Sequence, residues 1–434
     1  MSVTIASLIL LALLILFLGA GIWIFMGLLL AGASAMWIIL DFNWVRIGSI
    51  ATKVISSSAV SWELAAIPIF IWMGDIIFRT DISQRLFRGL APMVARIPGG
   101  LLHTNVLGCT VFAAISGSST ATTATVGKIT IPELSKRGYN LSLASGSLAG
   151  AGSFGLLIPP SIAMIIYGVL AEVSIAKLFA AGLFPGLMMA TLYSGYIAIR
   201  ALMDPAKAPG YDGDVSQSVI LRGILELVPI GVLMFIVLGS IYSGLATPSE
   251  AAAVGVFGAL MITIVTGQFT IALFVDSLMS TLRVSAMICI LIACSAFLSA
   301  AIAYMHLPTM ITETIAGMQL PPYGVLLILA VLYIVLGMFL DGTSMTVMTV
   351  PIAVPLIIQA GYDPLWFGIY LVIMIEMSAL TPPVGLNLFI LQALTNTSLG
   401  TTVLAALPFF LLLCVGTVLL AVFPEIVLWL PSRL

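Results

Sequence analysis

A polar segment, Ser-Gly-Ser-Ser-Thr-Ala-Thr-Thr-Ala-Thr, interrupts an apolar chain at residues 116–125 and is followed by Ile-Pro-Pro-Ser at residues 158–161. The same order returns in the second half, where Asp-Gly-Thr-Ser at residues 341–344 precedes Leu-Thr-Pro-Pro at residues 380–383. From the glycine to the first proline, the first pair spans 42 residues and the second spans 40. Chance would rarely match two polar motifs, their order and their spacing. The sequence therefore predicts two copies of one structural unit.

The composition places both copies in a membrane. Of 434 residues, 61% are hydrophobic and only 7% are charged, whereas about a quarter of the residues of a soluble domain are charged. Continuously apolar runs such as 224–244 and 399–423 exclude the alternating pattern of a transmembrane β-barrel. The predicted fold is an all-α, polytopic membrane protein embedded in a lipid bilayer.

Several classes of function are disfavoured by the sequence. A net charge of −2 provides no positive field with which to hold nucleic acid. The sequence also lacks the motifs of zinc metalloproteases, of serine hydrolases and of nucleotide-hydrolysing P-loops. We therefore predict that the chain is not an enzyme and that it does not bind nucleic acid.

A polar seam divides the chain into halves. Residues 203–222 hold the only long polar stretch, punctuated by proline and glycine. We predict repeat 1 at residues 1–202, a cytoplasmic connecting segment at 203–222 and repeat 2 at 223–434. Since a span needs about 20 apolar residues, each repeat has room for five. The predicted spans are 4–18, 20–40, 60–78, 141–171 and 178–199, then 224–244, 251–267, 284–303, 365–390 and 401–423.

The basic residues predict how each repeat is oriented. Seven of them flank the first polar segment: Arg79, Arg85, Arg88, Arg96, Lys128, Lys136 and Arg137. Because basic flanks stay in the cytoplasm, residues 99–127 are predicted to form a re-entrant hairpin. The second hairpin, at 324–350, has flanks at 304–322 and 353–363 that contain no Lys or Arg, so they are predicted to face outward. The two repeats are then inverted, and both termini lie outside.

One stretch disagrees with this topology. Arg46 and Lys53 fall on the outer side, where the positive-inside rule does not expect them. Residues 41–58 could instead form an interfacial helix, with Trp44 and Trp62 anchored at the level of the lipid headgroups.

The hairpin tips and the two proline-broken helices, 141–171 and 365–390, offer polar backbone at membrane depth. Small residues in membrane helices usually serve close packing, and that remains the alternative explanation. Two matched tips and breaks favour a binding site, because free N–H groups suit a carboxylate and bare oxygens suit a hard cation such as Na⁺. Inverted repeats with broken helices are typical of secondary transporters.

Charged residues inside the spans cost free energy unless they are paired or solvated, so they indicate function. Asp341 occupies the place of Ser116 at the second tip, where we expect it to bind substrate; a helix cap is the alternative. Glu376 and Glu250 are weaker candidates, for which capping at the interface is the alternative.

The four motifs, continued as Gly152-Ser-Phe-Gly-Leu-Leu-Ile-Pro-Pro-Ser161 and Leu380-Thr-Pro-Pro-Val-Gly-Leu-Asn387, resemble the large membrane subunit (M subunit) of tripartite ATP-independent periplasmic (TRAP) transporters. The resemblance covers essentially the whole chain. It implies a Na⁺-driven elevator importer of organic acids in a bacterial inner membrane. It also implies two separate partners, a small four-helix membrane subunit and a periplasmic protein that delivers the substrate.

The resemblance further implies where the site lies. The hairpins and broken helices would form a mobile transport domain, and the remaining helices would form the scaffold with the small subunit. Four residues would contact the substrate or its water shell: Ser116, Ser119, Ser161 and Asp341. Two or more Na⁺ ions would be held around Gly117, Ser118, Ser119, Ser153, Gly155, Gly342, Thr343, Thr381 and Pro382.

Other functions stay open at the level of sequence. A stand-alone proton- or sodium-coupled carboxylate carrier or antiporter would use Asp341 and Glu376. A non-transporting scaffold and an intramembrane enzyme are the alternatives from other classes. Hydroxyl-rich tips fit a dicarboxylate, a keto or hydroxy acid and a sugar acid equally well, so the sequence does not name the substrate.

Overall fold

The structure, a computed structural model, describes residues 3–210, 216–306, 321–338, 340–382 and 385–434. Over these residues the chain consists of α-helices joined by short connections, which confirms the all-α prediction. In chain order the helices are α1 (Val3–Gly19), α2 (Ile24–Leu40), α3 (Trp44–Ala59), α4 (Ala66–Phe78), α5 (Ile82–Val94), α6 (Leu102–Ser116), α7 (Ser119–Lys136), α8 (Leu141–Gly152), α9 (Phe154–Leu157), α10 (Ile162–Leu170), α11 (Ile175–Met203), α12 (Gln217–Tyr242), α13 (Pro248–Val265), α14 (Ile271–Tyr304), α15 (Pro322–Gly337), α16 (Gly342–Gln359), α17 (Pro364–Ala379), α18 (Leu386–Thr395), α19 (Leu399–Val422) and α20 (Glu425–Leu428).

Many of these helices are suited to cross a membrane. Within the described ranges, six are long and apolar enough by themselves, and counting two bent helix pairs as one span each gives up to eight. Each predicted span coincides with a helix or a helix pair, and the largest difference is at α14, which begins at Ile271 rather than near residue 284. Its first turns carry polar residues that a search for apolar runs passes over. The chain is built as a multi-pass membrane protein.

The first bent pair lies where an interfacial helix is predicted. Helix α3 covers most of residues 41–58, where the interfacial helix is predicted. Its axis is bent by 53° from the helical segment Trp62–Phe78 that follows. Among its side chains only Ile47 is buried, and the guanidinium carbon of Arg46 lies 3.6 Å from the centroid of the Phe42 ring. The exposed Trp44 and Trp62 fit anchors at a membrane surface. That placement stays a prediction.

The two halves pack on each other reciprocally. Helix α2 of the first half packs against α14 of the second, and α4 packs against α13. Likewise α10 packs against α16, and α18 packs against α7. If the two halves are exchanged, the contact of α2 with α14 becomes that of α13 with α4, and the contact of α10 with α16 becomes that of α18 with α7. Two equivalent repeats produce this pattern. The division at 203–222 and the orientation of each half across the membrane stay predictions; residues 211–215 of the seam and 307–320 of the outer flank lie outside the described residues.

Candidate transport site

The first hairpin consists of α6 and α7 joined by a two-residue turn. Helix α6 ends at Ser116 because Gly117 has a φ of 56°, which L side chains rarely adopt. Ser118 caps α7, its hydroxyl accepting the N–H of Ala121 at 3.4 Å. The Ser116 hydroxyl lies 2.6 Å from that of Thr122 and accepts the N–H of Ser118 at 3.2 Å. The tip is therefore a polar network, as the sequence predicts.

The second hairpin consists of α15 and α16, and Asp341 lies at the start of its second arm. The Asp341 carboxylate accepts the N–H of Thr343 at 3.0 Å and the N–H of Ser344 at 3.2 Å, and it also accepts the Ser344 hydroxyl. Asp341 thus caps α16, which is the structural alternative named above, while the residue remains exposed. Capping and a binding role are compatible, since a carboxylate has several acceptor positions.

The two tips meet at one cavity of about 350 Å³. Residues 116–121 line it from the first tip and residues 340–343 from the second. The ends of the broken helices contribute Leu156, Ile162 and Ile375. A larger cavity of about 450 Å³ lies elsewhere, and no tip residue lines it. Seven residues assigned to the site from the sequence are brought together around the smaller cavity: Ser116, Gly117, Ser118, Ser119, Asp341, Gly342 and Thr343.

Other assigned residues lie behind this wall. The hydroxyl of the buried Ser161 caps α10 through the N–H of Met164 at 3.4 Å. The hydroxyl of Ser153 donates to the Gly150 carbonyl at 2.5 Å, and that of Thr381 donates to the Met377 carbonyl at 2.8 Å. None of these three side chains is among the described residues that line the cavity.

The other described residues singled out in the sequence also lie away from the cavity lining. Gly155 and Pro382 are also not among the described lining residues, and Pro383 of the second break lies outside the described residues. Glu250 is exposed and forms a capping box with Thr247 at the start of α13, which is the capping alternative. Glu376 is buried in the last turn of α17, and its side chain does not cap that helix end.

Backbone packs directly on backbone behind the first tip. A Cβ atom added at Gly155 would lie 2.5 Å from the Ser119 nitrogen, and one added at Gly117 would lie 3.2 Å from the Ile162 nitrogen. Glycine at both positions lets the tip approach the break between α9 and α10 without an intervening side chain. Carbonyl oxygens and N–H groups of two irregular segments are thereby concentrated at one place, which is the kind of environment that a dehydrated ion requires.

One lining residue was missed from the sequence. Asp75 of α4 also lines the cavity. Its Oδ2 lies 2.6 Å from Nε of Arg79, and its Oδ1 accepts the Ser280 hydroxyl at 3.4 Å. The available signal was an ionisable residue inside the predicted span 60–78, which by itself indicates function. Asp75 and Asp341 are the charged residues among the described lining residues, and neither Lys nor Arg is among them.

Known proteins resemble this chain in both sequence and fold. Residues 9–426 match the family described as "Tripartite ATP-independent periplasmic transporter, DctM component". The C4-dicarboxylate TRAP transporter large permease protein DctM of Pseudomonas aeruginosa is 34% identical over 408 residues, covering 93% of this chain and 94% of that protein. The ectoine/5-hydroxyectoine TRAP transporter large permease protein UehC of Ruegeria pomeroyi is 32% identical over 403 residues, covering 93% of each.

A solved structure shares the fold. The crystal structure of the Alcanivorax borkumensis YdaH transporter, described as having an unusual topology, superposes with a TM-score of 0.62 at 17% identity and covers 88% of both chains. The family match over nearly the full length and the large-permease relatives identify a transport subunit rather than an enzyme. The chain belongs to the DctM family, the large membrane subunits of tripartite ATP-independent periplasmic transporters.

Proposed function

We propose that this chain imports an organic acid in symport with Na⁺, and that it receives the acid from a periplasmic binding protein. The observation that carries this proposal is the lining of the cavity between the tips. Its described residues offer hydroxyls and two carboxylates, Asp75 and Asp341, and no basic side chain. Arg79 offsets the charge of Asp75, whereas none of the described ion pairs includes Asp341. The Asp341 carboxylate therefore repels an acid anion unless cations enter with it. Obligatory entry of cation and anion together is the basis of symport.

The geometry supports the following placement of each ligand, which belongs to this proposal. Helices α7 and α16 begin at the two tips, so the positive ends of their dipoles favour the carboxylate of the substrate. The hydroxyls of Ser116 and Ser119 hold the acid from one side, and Asp341 does so from the other, directly or through water. Na⁺ binds behind each tip; behind the first, the backbone of Ser119 packs against Gly155 of the broken helix. The two sites comprise Gly117 to Ser119 with Ser153 and Gly155, and Gly342 and Thr343 with Thr381 and Pro382.

The electrical potential of the membrane then drives import. Each surplus positive charge that moves inward gains about 2.3 kcal/mol per 100 mV, so no ATP is needed. We propose that both hairpins and both broken helices move together as an elevator against the wall formed by α4 and α14. Neutralisation of the carboxylates by Na⁺ lowers the cost of moving this block through the hydrocarbon.

The proposed setting is a bacterial inner membrane, with both termini in the periplasm. A small four-helix membrane subunit completes the scaffold. The related proteins named for C4-dicarboxylates and for ectoine support a range of small organic acids as cargo, and the periplasmic protein would select among them. Membership of the DctM family favours this tripartite arrangement over a stand-alone carrier or antiporter that uses Asp341 and Glu376.

The sodium dependence can be measured in proteoliposomes that contain this chain and its small subunit. Labelled dicarboxylates, hydroxy and keto acids and sugar acids are supplied outside with the periplasmic protein. We expect an inward Na⁺ gradient to accelerate uptake of the acid that this protein binds, and omission of the protein to abolish it. Choline in place of Na⁺ is the control. Acceleration by a proton gradient and not by Na⁺ would contradict the proposal.

A further inference from the structure

Glu376 is a buried carboxylic acid without a partner. Only 1% of its surface is exposed, and within the described part of the chain neither carboxylate oxygen has a hydrogen-bond partner. Among the described ion pairs none includes Glu376. Removing a lone carboxylate from water costs several kcal/mol unless something compensates its charge. The ionised form at this position therefore needs a compensating cation, and without one the group binds a proton and becomes neutral.

The neighbours of this carboxyl group come from the first half of the chain. The Ser119 side chain and the Leu156 backbone lie near it, although neither makes a hydrogen bond of normal geometry. Helix α17, which carries Glu376, packs against α9 and α11. Tyr193 of α11 has a hydroxyl that, within the described part of the chain, lacks a hydrogen-bond partner of normal geometry. It lies next to Ser153 and within electrostatic range of the carboxyl group. Glu376 thus lies directly behind the first hairpin tip.

The surrounding oxygens suit a small, hard cation. The backbone of Ser119 packs against Gly155. The Thr123 hydroxyl, which is unpartnered among the described residues, lies against Gly152 of the same broken helix. Hard cations take oxygen ligands from hydroxyls, carbonyls and carboxylates, and a carboxylate adds the charge that neutral oxygens lack. We propose that Glu376 is the anionic ligand of the Na⁺ bound behind the first hairpin tip. This proposal rests on the sodium symport proposed above.

Such a site joins the two halves of the protein. Glu376 lies five residues before Thr381 in the second break, whereas the other ligands belong to the first tip and the first break. Binding of one Na⁺ would therefore hold the second broken helix against the first hairpin. Because the carboxylate compensates the charge of this ion, the occupied site moves through the membrane as a neutral unit.

The test uses the purified complex of this chain with its small subunit. Thermal unfolding is measured while Na⁺ replaces choline at constant ionic strength, and Na⁺-driven uptake is measured in parallel. We expect Glu376→Gln to raise the half-saturating Na⁺ concentration at least tenfold and to remove the Na⁺ stimulation of uptake. Glu425→Gln, a change at an exposed glutamate, is the matched control and should behave as the wild type.

Three other outcomes are informative. A folded Glu376→Gln complex with the wild-type Na⁺ response would overturn the role of Glu376 while leaving sodium symport intact. A wild-type complex without any Na⁺ response would contradict sodium symport itself, and the inference with it. If Glu376→Gln does not assemble, Glu376→Asp decides, because it keeps the charge and withdraws it by about 1.5 Å. We then expect weakened but retained Na⁺ binding, and an unchanged half-saturating concentration would overturn the inference.

Discussion

Replacement of Asp341 by alanine is expected to lower Na⁺-driven uptake by at least about a hundredfold, whereas replacement of Asp363 by alanine should leave uptake near the wild-type rate. Both residues cap the start of a helix with their carboxylates. Loss of a cap costs about 1 kcal/mol of stability at either position. Only Asp341 faces the cavity, where losing one member of a charge interaction costs about 2–5 kcal/mol of binding free energy.

The comparison separates capping from binding. Uptake is measured in proteoliposomes at a saturating concentration of the loaded periplasmic protein, and assembly of each variant with the small subunit is checked by size-exclusion chromatography. Asp341→Asn keeps the capping oxygen and loses the charge, so it should also be impaired. If both alanine variants transport at the same rate, Asp341 is a helix cap and nothing more.

We expect Gly155→Ala to abolish coupled transport without unfolding the protein. The added Cβ would lie 2.5 Å from the Ser119 nitrogen, so the first tip must shift by about 1 Å to restore van der Waals contact. A misplacement of that size at a binding site costs about a hundredfold in rate, whereas overpacking costs only about 1–3 kcal/mol of stability. Uptake and Na⁺-dependent thermal stabilisation are the two measurements.

Gly195→Ala provides the control for this change. Gly195 lies on the exposed side of α11. Apart from its chain neighbours and the backbone of its own helix, no atom of the described residues lies within 4 Å of an added Cβ. Alanine there should stabilise the helix by up to about 1 kcal/mol and leave transport unchanged. Normal Na⁺-driven uptake by Gly155→Ala would show that the close approach of the tip to the broken helix is not required.

The helices and turns were predictable because their signals are local. Two examples are the glycine at residue 117, which ends α6, and the proline pair at 159–160, which breaks the next predicted span. Both can be recognised from the local sequence, without knowledge of the residues that pack against them. The bend between α3 and α4 was only partly predictable. Its polar residues indicate a segment outside the hydrocarbon, but the 53° angle depends on packing against α14 and α13, which local sequence does not encode.

The candidate site was predictable in outline and less so in detail. Ser153 and Ser161 look like ligands in the sequence, but in the fold their hydroxyls bond nearby backbone groups, and a serine that caps a helix cannot be told from one that binds an ion by its sequence alone. Asp75 approaches from a distant helix, so no motif points to it. The importance of Glu376 depends on burial against the other half of the chain, which only the tertiary structure supplies.

The central claim is that one cavity between the two hairpin tips holds the acid together with Na⁺. It is tested most directly by determining the structure of this chain with its small subunit, by cryo-electron microscopy, in saturating Na⁺ and the acid released by the periplasmic protein. We predict density for the acid between residues 116–119 and 341–343, and density for an ion behind each tip. Acid bound elsewhere, for example in the larger cavity beside Trp62 and Glu172, would contradict the account.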